Sequence, residues 1–343
     1  MKKLGNVLYI TVPEAYLALD GENIVVRRDD TTAMRLPLHN LENIVCFNYP
    51  GVSPALMGAC ADRNIGLCFL KPNGRFLARV TGKVKGNLLL RTKQYELTQC
   101  PSASAAIARS VVLGKIANCR TVIERAIRDH ALLVEVPELR AASDFLKEML
   151  NAVRAGESVE TLRGLEGNAA SRYFGVFGEL VLHQREEFPF RTRTRRPPED
   201  NINALLSFLY SLLANEVASA LETVGLDPYV GFLHTDRPGR PSLALDMMEE
   251  LRPIFADRLA LSLINRKQIR GKGFIQKESG GVLMDDETRR EVLVAWQKRK
   301  REEILHPYVK ERIPFGLIPH VQATLLARHL RGDLDAYPPF FWN

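Results

Sequence analysis

The chain has 343 residues, of which 46% are hydrophobic and 25% charged, and its formal net charge is +7. This composition is typical of a globular protein with enough apolar material for a sizeable core, and it excludes a disordered or fibrous chain. The length allows two domains. The basic excess suits a polyanionic partner such as nucleic acid, but it does not by itself establish one.

The cysteine pattern argues against a disulfide framework and against a structural zinc site, because the count is odd and no CxxC pair occurs. We expect buried, reduced thiols at Cys46, Cys60, Cys68, Cys100 and Cys119. The N-terminal apolar run is interrupted by polar residues and glycine, so it does not read as a signal peptide. No segment reaches the length of a membrane span. We therefore expect a soluble, cytoplasmic protein that does not contact a membrane.

Residues 1–90 are predicted to form a β-rich domain, because short segments rich in Val, Ile, Leu and Tyr follow one another there. The predicted strands are residues 7–12, 16–19, 24–27, 33–38, 43–46, 66–70 and 75–80. Asp20-Gly21 and Asn73-Gly74 are turn signals between strands. One helix is predicted over residues 54–63.

Residues 91–343 are predicted to form an α-helical domain, since the hydrophobic period changes to that of helices from about residue 103 onward. The predicted helices are residues 107–127, 137–153, 162–182, 202–224, 241–265, 286–304 and 319–330. A basic, glycine-rich hairpin over residues 267–283 interrupts them. The predicted fold class is therefore α+β, with a β-rich domain followed by an all-α domain.

Three acids on the helix that begins at Pro241 are the first candidates for chemistry. Asp246, Glu249 and Glu250 are spaced i, i+3 and i+4, so they share one face of an otherwise apolar helix. Their mutual repulsion would be offset by a divalent cation. Pro253 lacks the N–H that would bond the carbonyl of Glu249, so the helix should bend or loosen there. The alternative is that the acids form an ordinary solvated face.

Two further residues complete a candidate metal site. His234 lies just before the loop that leads to this helix, and an imidazole with two carboxylates suits Mg²⁺ or Mn²⁺ with positions left open. Glu166 is the best third ligand, because the small residues around it would let DNA approach. Tyr173, seven residues further along the same helical face, could stack on a base or bind a phosphate. The alternative is that His234 and Glu166 are structural residues.

Two basic segments are candidates for phosphate contacts. The loop over residues 188–198 carries Arg191, Arg193, Arg195 and Arg196, which alternation places on one side if the loop is extended. The basic hairpin supplies Lys267, Arg270 and Lys272. The alternative for the loop is a solvated surface segment. The aromatic tail over residues 337–343 either packs on its own domain or docks on a partner.

Short motifs along nearly the whole chain resemble, in their order, the CRISPR-associated adaptation integrase, the first of the Cas proteins, with details closest to subtype I-C. These motifs are Leu165-Glu166-Gly167, Tyr173-Phe174, Arg196-Pro197-Pro198, residues 203–207 with Tyr210, His234, and residues 242–253. The resemblance implies metal ligands at Glu166, His234 and Glu249. It makes Asp246 a supporting acid of the catalytic set and leaves open whether Asp246 also contacts the metal.

The resemblance also implies an activity and an assembly. The activity is metal-dependent transesterification, in which 3′-hydroxyl ends of short double-stranded DNA fragments are joined into a CRISPR repeat. The assembly is a homodimer formed through the β-rich domains, and two such dimers flank a dimer of the second CRISPR-associated adaptation protein. The alternatives are a stand-alone nuclease specific for branched DNA and a DNA-binding scaffold without catalysis.

Overall fold

The N-terminal region of the structure, a computed structural model, contains two four-stranded sheets. The structure describes residues 4–12, 14–28, 31–47, 49–83 and 88–342. The elements of this region are β1 (Asn6–Ile10), β2 (Tyr16–Asp20), β3 (Asn23–Arg28), β4 (Thr31–Pro37), β5 (Leu41–Cys46), β6 (Gly51–Val52), α1 (Pro54–Asp62), β7 (Gly66–Leu70) and β8 (Phe76–Val80).

The first sheet has the strand order β1-β5-β7-β8 and the second has β4-β3-β2-β6. In the first sheet β5 pairs in parallel with β1 and β7, and β8 returns antiparallel to β7. In the second, β2–β3 is a hairpin whose turn contains Gly21 at φ +57°, a conformation that glycine adopts without strain. Apolar side chains of both sheets and α1, among them Leu17, Ile44 and Leu56, form a shared core.

The remaining described chain is mainly helical. Its helices are α2 (Leu88–Thr98), α3 (Pro101–His130), α4 (Val136–Ala155), α5 (Val159–Gly175), α6 (Asn201–Val224), α7 (Ser242–Glu249), a π-helical segment (Arg252–Asp257), α8 (Arg258–Asn265), α9 (Asp286–Arg301) and α10 (Ile318–Arg331). Two short antiparallel ribbons lie between the last helices. The first pairs β9 (Phe274–Gln276) with β10 (Val282–Met284) and lies between α8 and α9, and the second pairs β11 (Glu303–Leu305) with β12 (Arg312–Pro314) and lies between α9 and α10.

The α+β class with a β-rich beginning and a helical remainder is confirmed, and the predicted basic hairpin is the β9–β10 ribbon. The division at residue 90 stays a prediction. Helix α2 was missed, because one of its two buried residues is Gln94, which hides the apolar period. The Gln94 side-chain amide donates to the carbonyls of Asp227 and Val230 at 2.9 and 2.8 Å. Four cysteines are buried as expected, whereas Cys100 is exposed.

Helix α6 corrects one sequence-based expectation. Among the described residues it is long and apolar enough to cross a membrane by length and composition alone. It lies inside the fold, however, and 61% of its most apolar window is buried. Leu205, Leu209 and Leu213 are completely covered and belong to the large core of the helical region. Its apolar character therefore fits a central core helix.

Candidate metal centre

The carboxylate of Asp246 on α7 organises the segment that carries His234. It accepts the backbone N–H groups of Phe232, Leu233 and His234 at 2.6, 2.9 and 2.9 Å. The same carboxylate lies 2.6 Å from Nδ1 of the His234 ring. In a neutral imidazole, a proton on Nδ1 is donated to an Asp246 carboxylate that can only accept, and this tautomer leaves the lone pair on Nε2 available to a metal. Asp246 is 1% exposed and is saturated by these four contacts.

The free Nε2 of His234 faces the carboxylate of Glu249, with 3.8 Å between Nε2 and Oε1. Glu249 is the last residue of α7 and only 2% of it is exposed. The structure thus brings His234 and Glu249 together and places Asp246 behind the imidazole. This arrangement favours Glu249 over Asp246 as a direct ligand, as the resemblance implied.

Glu166, on α5, is joined to Glu249 by a lysine that contacts both carboxylates. The ammonium of Lys115, on α3, contacts Oε1 of Glu166 and lies 2.6 Å from Oε2 of Glu249. Burial lowers the pKa of Lys115, but the charges of Glu249 and Glu166 more than reverse this, so its pKa is raised. Two carboxylates, from α5 and α7, therefore meet at one buried ammonium from α3.

Arg252 adds a second cation on the other side of Glu249, with Nη1 2.7 Å from Oε1. Burial alone would raise the pKa of Glu249, but Arg252, Lys115 and His234 together lower it to about 2. Glu249 therefore stays ionised at neutral pH, which is the state required of a metal-binding carboxylate. Arg252 reaches this position from the π-helical segment that follows α7.

The donor set fits a hard divalent cation, although within the described ranges no three His, Cys, Asp or Glu side chains form a ready-made metal cage. Two carboxylates and a free imidazole nitrogen are suitable ligands for Mg²⁺ or Mn²⁺. Oε2 of Glu249 is buried and has no partner in hydrogen-bond geometry, although it lies within ion-pair distance of Lys115. A cation could use this oxygen if the ammonium moved.

Glu250 does not belong to this centre, which corrects the prediction of three acids on one face. Its carboxylate turns into the core, where it accepts the Tyr337 hydroxyl, the Gln322 amide at 2.9 Å and the backbone N–H of Phe340 at 2.8 Å. Burial raises the pKa of Glu250 to about 7, and these hydrogen bonds offset only part of that rise. The aromatic tail therefore packs on its own domain, where the Trp342 ring lies between Arg125 and Arg258.

The predicted break at Pro253 is confirmed, since α7 ends at Glu249 and the π-helical segment begins at Arg252. Lys115 and Arg252 were not among the predicted site residues. Lys115 could have been noticed as a charged residue in the apolar period of α3, between the buried Val111 and Cys119. Arg252 follows Glu249 by three residues, a spacing that favours an ion pair on a helix.

Tyr173 is buried, so the prediction that it stacks on a base or binds a phosphate is wrong. Its hydroxyl lies 3.2 Å from the Asp257 carboxylate, and its ring packs edge-on against Phe174 and Phe177. Tyr210 donates to the other oxygen of Asp257 at 2.6 Å. Burial raises the pKa of Asp257 to about 6, although both tyrosines lower it. Tyr173 thus contributes to the core beneath the π-helical segment.

The arginine loop does not place its four arginines on one side. Arg193 turns inward, where it donates to Asn203 at 2.7 Å and to Ser207 at 3.0 Å. Arg191, Arg195 and Arg196 are exposed, as are the predicted hairpin cations Lys267, Arg270 and Lys272. Six of the seven basic candidates thus remain available to DNA, and Arg193 is corrected to a residue that holds the loop on α6.

An open groove of about 840 Å³ lies beside His234. Its walls include Ser102 near the start of α3, Ser158 at the start of α5, and Arg163. Arg163 donates to Thr235 at 3.0 Å, which ties α5 to the loop after His234. Beside Glu166 in the sequence, a side chain at Gly164 or Gly167 would meet no atom within 4 Å. The surface near Glu166 is therefore open.

The fold and the converging donors define a protein with a β-rich region, a helical region and a candidate metal centre in the helices. The family model described as CRISPR associated protein Cas1 matches residues 8–298. The protein named CRISPR-associated endonuclease Cas1 2 of Rhodospirillum rubrum is 53% identical over 347 residues, which cover 100% of both chains. The chain therefore belongs to the Cas1 family.

Two solved structures share the fold. A casposase bound to integration product has a TM-score of 0.84 at 21% identity, over 98% of this chain and 94% of that chain. A Cas6-RT-Cas1–Cas2 complex has a TM-score of 0.82 at 24% identity. That alignment covers all of this chain but only 36% of the much longer chain in the complex. At these identities the likeness concerns the fold alone.

Proposed function

We propose that this protein is a divalent-metal-dependent DNA integrase and endonuclease of CRISPR spacer acquisition. The observation that carries the proposal is the convergence of Glu166, His234 and Glu249, with Asp246 leaving the Nε2 lone pair of His234 free. The endonuclease name of the 53% identical relative and the integration product bound by the casposase support the same chemistry.

The proposed reaction is a transesterification in which a 3′-hydroxyl of the incoming DNA attacks a phosphodiester of the repeat. The new P–O bond replaces the bond to the 3′-oxygen of the repeat strand, which leaves as a free 3′-hydroxyl. Mg²⁺ or Mn²⁺, when bound by Glu166, His234 and Glu249, would supply Lewis-acid stabilisation of the phosphoryl oxygens. Asp246 orients the imidazole, and Arg252 holds Glu249 in its ionised form. The attacking group comes from DNA, so no serine, cysteine or tyrosine nucleophile is required of the protein.

The proposed partners are double-stranded DNA and other adaptation proteins. We propose a homodimer formed through the β-rich region, and a hetero-complex with the second adaptation protein, as the Cas1–Cas2 name of one structural neighbour suggests. Assignment to subtype I-C and a cytoplasmic location belong to the same proposal. In the helical region, Arg191, Arg195 and Arg196 would contact DNA phosphates, together with Lys267, Arg270 and Lys272.

The proposal is tested with a supercoiled plasmid that carries a CRISPR repeat, a short DNA duplex, Mn²⁺ and the partner adaptation protein. We expect half-site products with 3′-hydroxyl duplexes and none with 3′-deoxy ends. The variant His234→Ala should form none with either, because it removes the Nε2 donor. Plasmid cleavage without any joining would identify a stand-alone nuclease. Joining that survives in folded His234→Ala would disprove the assigned site.

The arginine loop gives a separate prediction about DNA affinity. Replacing Arg191, Arg195 or Arg196 with alanine should weaken binding of any duplex and lower the slope of log K against log salt by about 0.9 per lost phosphate contact. The matched control is Arg193→Ala. Because Arg193 is bonded to Asn203 and Ser207, that variant should lose about 1–3 kcal/mol of stability instead. Fluorescence anisotropy across a salt series and thermal unfolding distinguish the two effects.

A further inference from the structure

Lys115 occupies an unusual position for a lysine. It lies on the inner face of α3, with Val111, Val112, Ile116 and Cys119 as its buried helical neighbours. Only 7% of its side chain is exposed. A buried charge of this kind is destabilising unless anionic partners offset it. Its partners are Glu166 and Glu249, the two carboxylates assigned above to the metal.

We propose that Lys115 is the internal counter-ion of the metal-free site, and that its ammonium leaves the two carboxylates when the divalent cation binds. This inference rests on the proposed metal site. In the metal-free protein, the ammonium would hold Glu166 and Glu249 together, where two bare carboxylates would repel each other. The protein would thereby keep its ligands assembled before the metal arrives.

The exchange follows from the charges and from the kind of side chain. A divalent cation and an ammonium cannot share the same carboxylate oxygens, because like charges at contact distance in a buried site repel strongly. Lys115 reaches the site on a flexible four-carbon chain with a single compact charge, so it can withdraw by rotation. Arg252 contacts Oε1 of Glu249, whereas Lys115 contacts Oε2. Loss of the lysine would therefore free one oxygen and keep the other anchored.

A consequence of this exchange is that Lys115 weakens metal binding while it stabilises the metal-free protein. The variant Lys115→Met keeps the length and apolar stem but removes the charge. We expect it to bind Mn²⁺ about tenfold more tightly or better, measured by titration calorimetry on protein stripped with chelator. Its unfolding temperature without metal should fall, and Mn²⁺ should raise that temperature more than in the unsubstituted protein.

The matched control is Lys300→Met. Lys300 is also buried, with 2% of its side chain exposed and its ammonium 2.9 Å from Glu216. This variant should lower the unfolding temperature without changing the Mn²⁺ affinity. If Lys115→Met does not fold, a second pair of variants at the same position tests the inference. Lys115→Gln, which can still donate to a carboxylate, should tighten Mn²⁺ binding, whereas Lys115→Arg, which keeps the charge, should not.

The outcomes separate this inference from the function on which it rests. If the unsubstituted protein binds no Mn²⁺, or if His234→Ala binds it equally well, the proposed metal site is wrong and the inference fails with it. If the unsubstituted protein binds Mn²⁺ and His234→Ala does not, the metal site stands. Folded Lys115→Met or Lys115→Gln with unchanged or weaker Mn²⁺ affinity would then overturn the role of Lys115 alone.

Discussion

Replacing Glu166 with glutamine should reduce strand transfer and DNA cleavage in Mn²⁺ by about three orders of magnitude, because the neutral amide is a poor ligand for a hard cation. A loss of this size corresponds to about 4 kcal/mol of transition-state stabilisation. The fold should survive, since Glu166 is partly exposed and Lys115 keeps its second partner, Glu249. Single-turnover rates with excess enzyme measure the effect.

The matched control for that experiment is Glu160→Gln on the same helix. Glu160 is largely exposed, and within the described part of the chain its ion pair is with Arg163, three residues later, so its loss should leave the rates unchanged. If Glu166→Gln joins or cuts DNA within tenfold of the unsubstituted rate, Glu166 is not a ligand. The DNA-binding scaffold without catalysis would instead gain support if the unsubstituted protein bound DNA but neither joined nor cut it in Mn²⁺.

Replacing Asp246 with asparagine should impair both the stability and the metal affinity of the protein. Asp246 accepts three backbone N–H groups and the His234 ring, and an asparagine amide would present a donor to at least one of them. Leaving such groups unpaired in a buried site costs about 1–3 kcal/mol each. The second effect is on His234, whose ring would lose the acceptor that fixes its tautomer. Substitutions behind a ligand of this kind lower metal affinity or activity by about 10- to 100-fold.

The stability and metal effects of Asp246→Asn are measured by denaturant unfolding and by Mn²⁺ titration. Asp285→Asn is the control, because Asp285 also accepts a backbone N–H, from Thr288 at 2.8 Å, but at the start of α9. Asparagine caps helices about as well as aspartate, so this change should cost less than about 1 kcal/mol and leave Mn²⁺ binding unaltered. An Asp246→Asn protein with unsubstituted stability and affinity would show that Asp246 does not organise the site.

The elements with a clear hydrophobic period were predictable because their burial follows the sequence directly. Strand β7 was predicted at residues 66–70 and lies at Gly66–Leu70, and α6 was predicted to within one residue. Helix α2 was not, since the inward position at Gln94 is polar and is satisfied by carbonyl groups more than 130 residues away. A prediction based on the spacing of apolar residues does not detect a buried polar side chain whose hydrogen-bond acceptors lie in another segment.

The acids at and just beyond the end of α7 show the limit of predictions from helical period. Helical spacing grouped Asp246, Glu249 and Glu250, but α7 ends at Glu249 and the carboxylate of Glu250 is taken by the C-terminal tail. The same limit applies to Tyr173, which shares a helical face with Glu166. That face lies near the surface at Glu166 and is covered by the core two turns later.

The sequence by itself determined the candidate ligands Glu166, His234 and Glu249, the helix break at Pro253 and the order of motifs that the family shares. The break depends on residue type within one element, whereas the candidate ligands depend on residue type and on the order of motifs along the chain. Only the tertiary structure decided that Asp246 lies behind His234, and that Lys115 joins Glu249 to Glu166. These pairings join separate elements of the chain, so they are set by how α3, α5 and α7 pack and not by a local pattern.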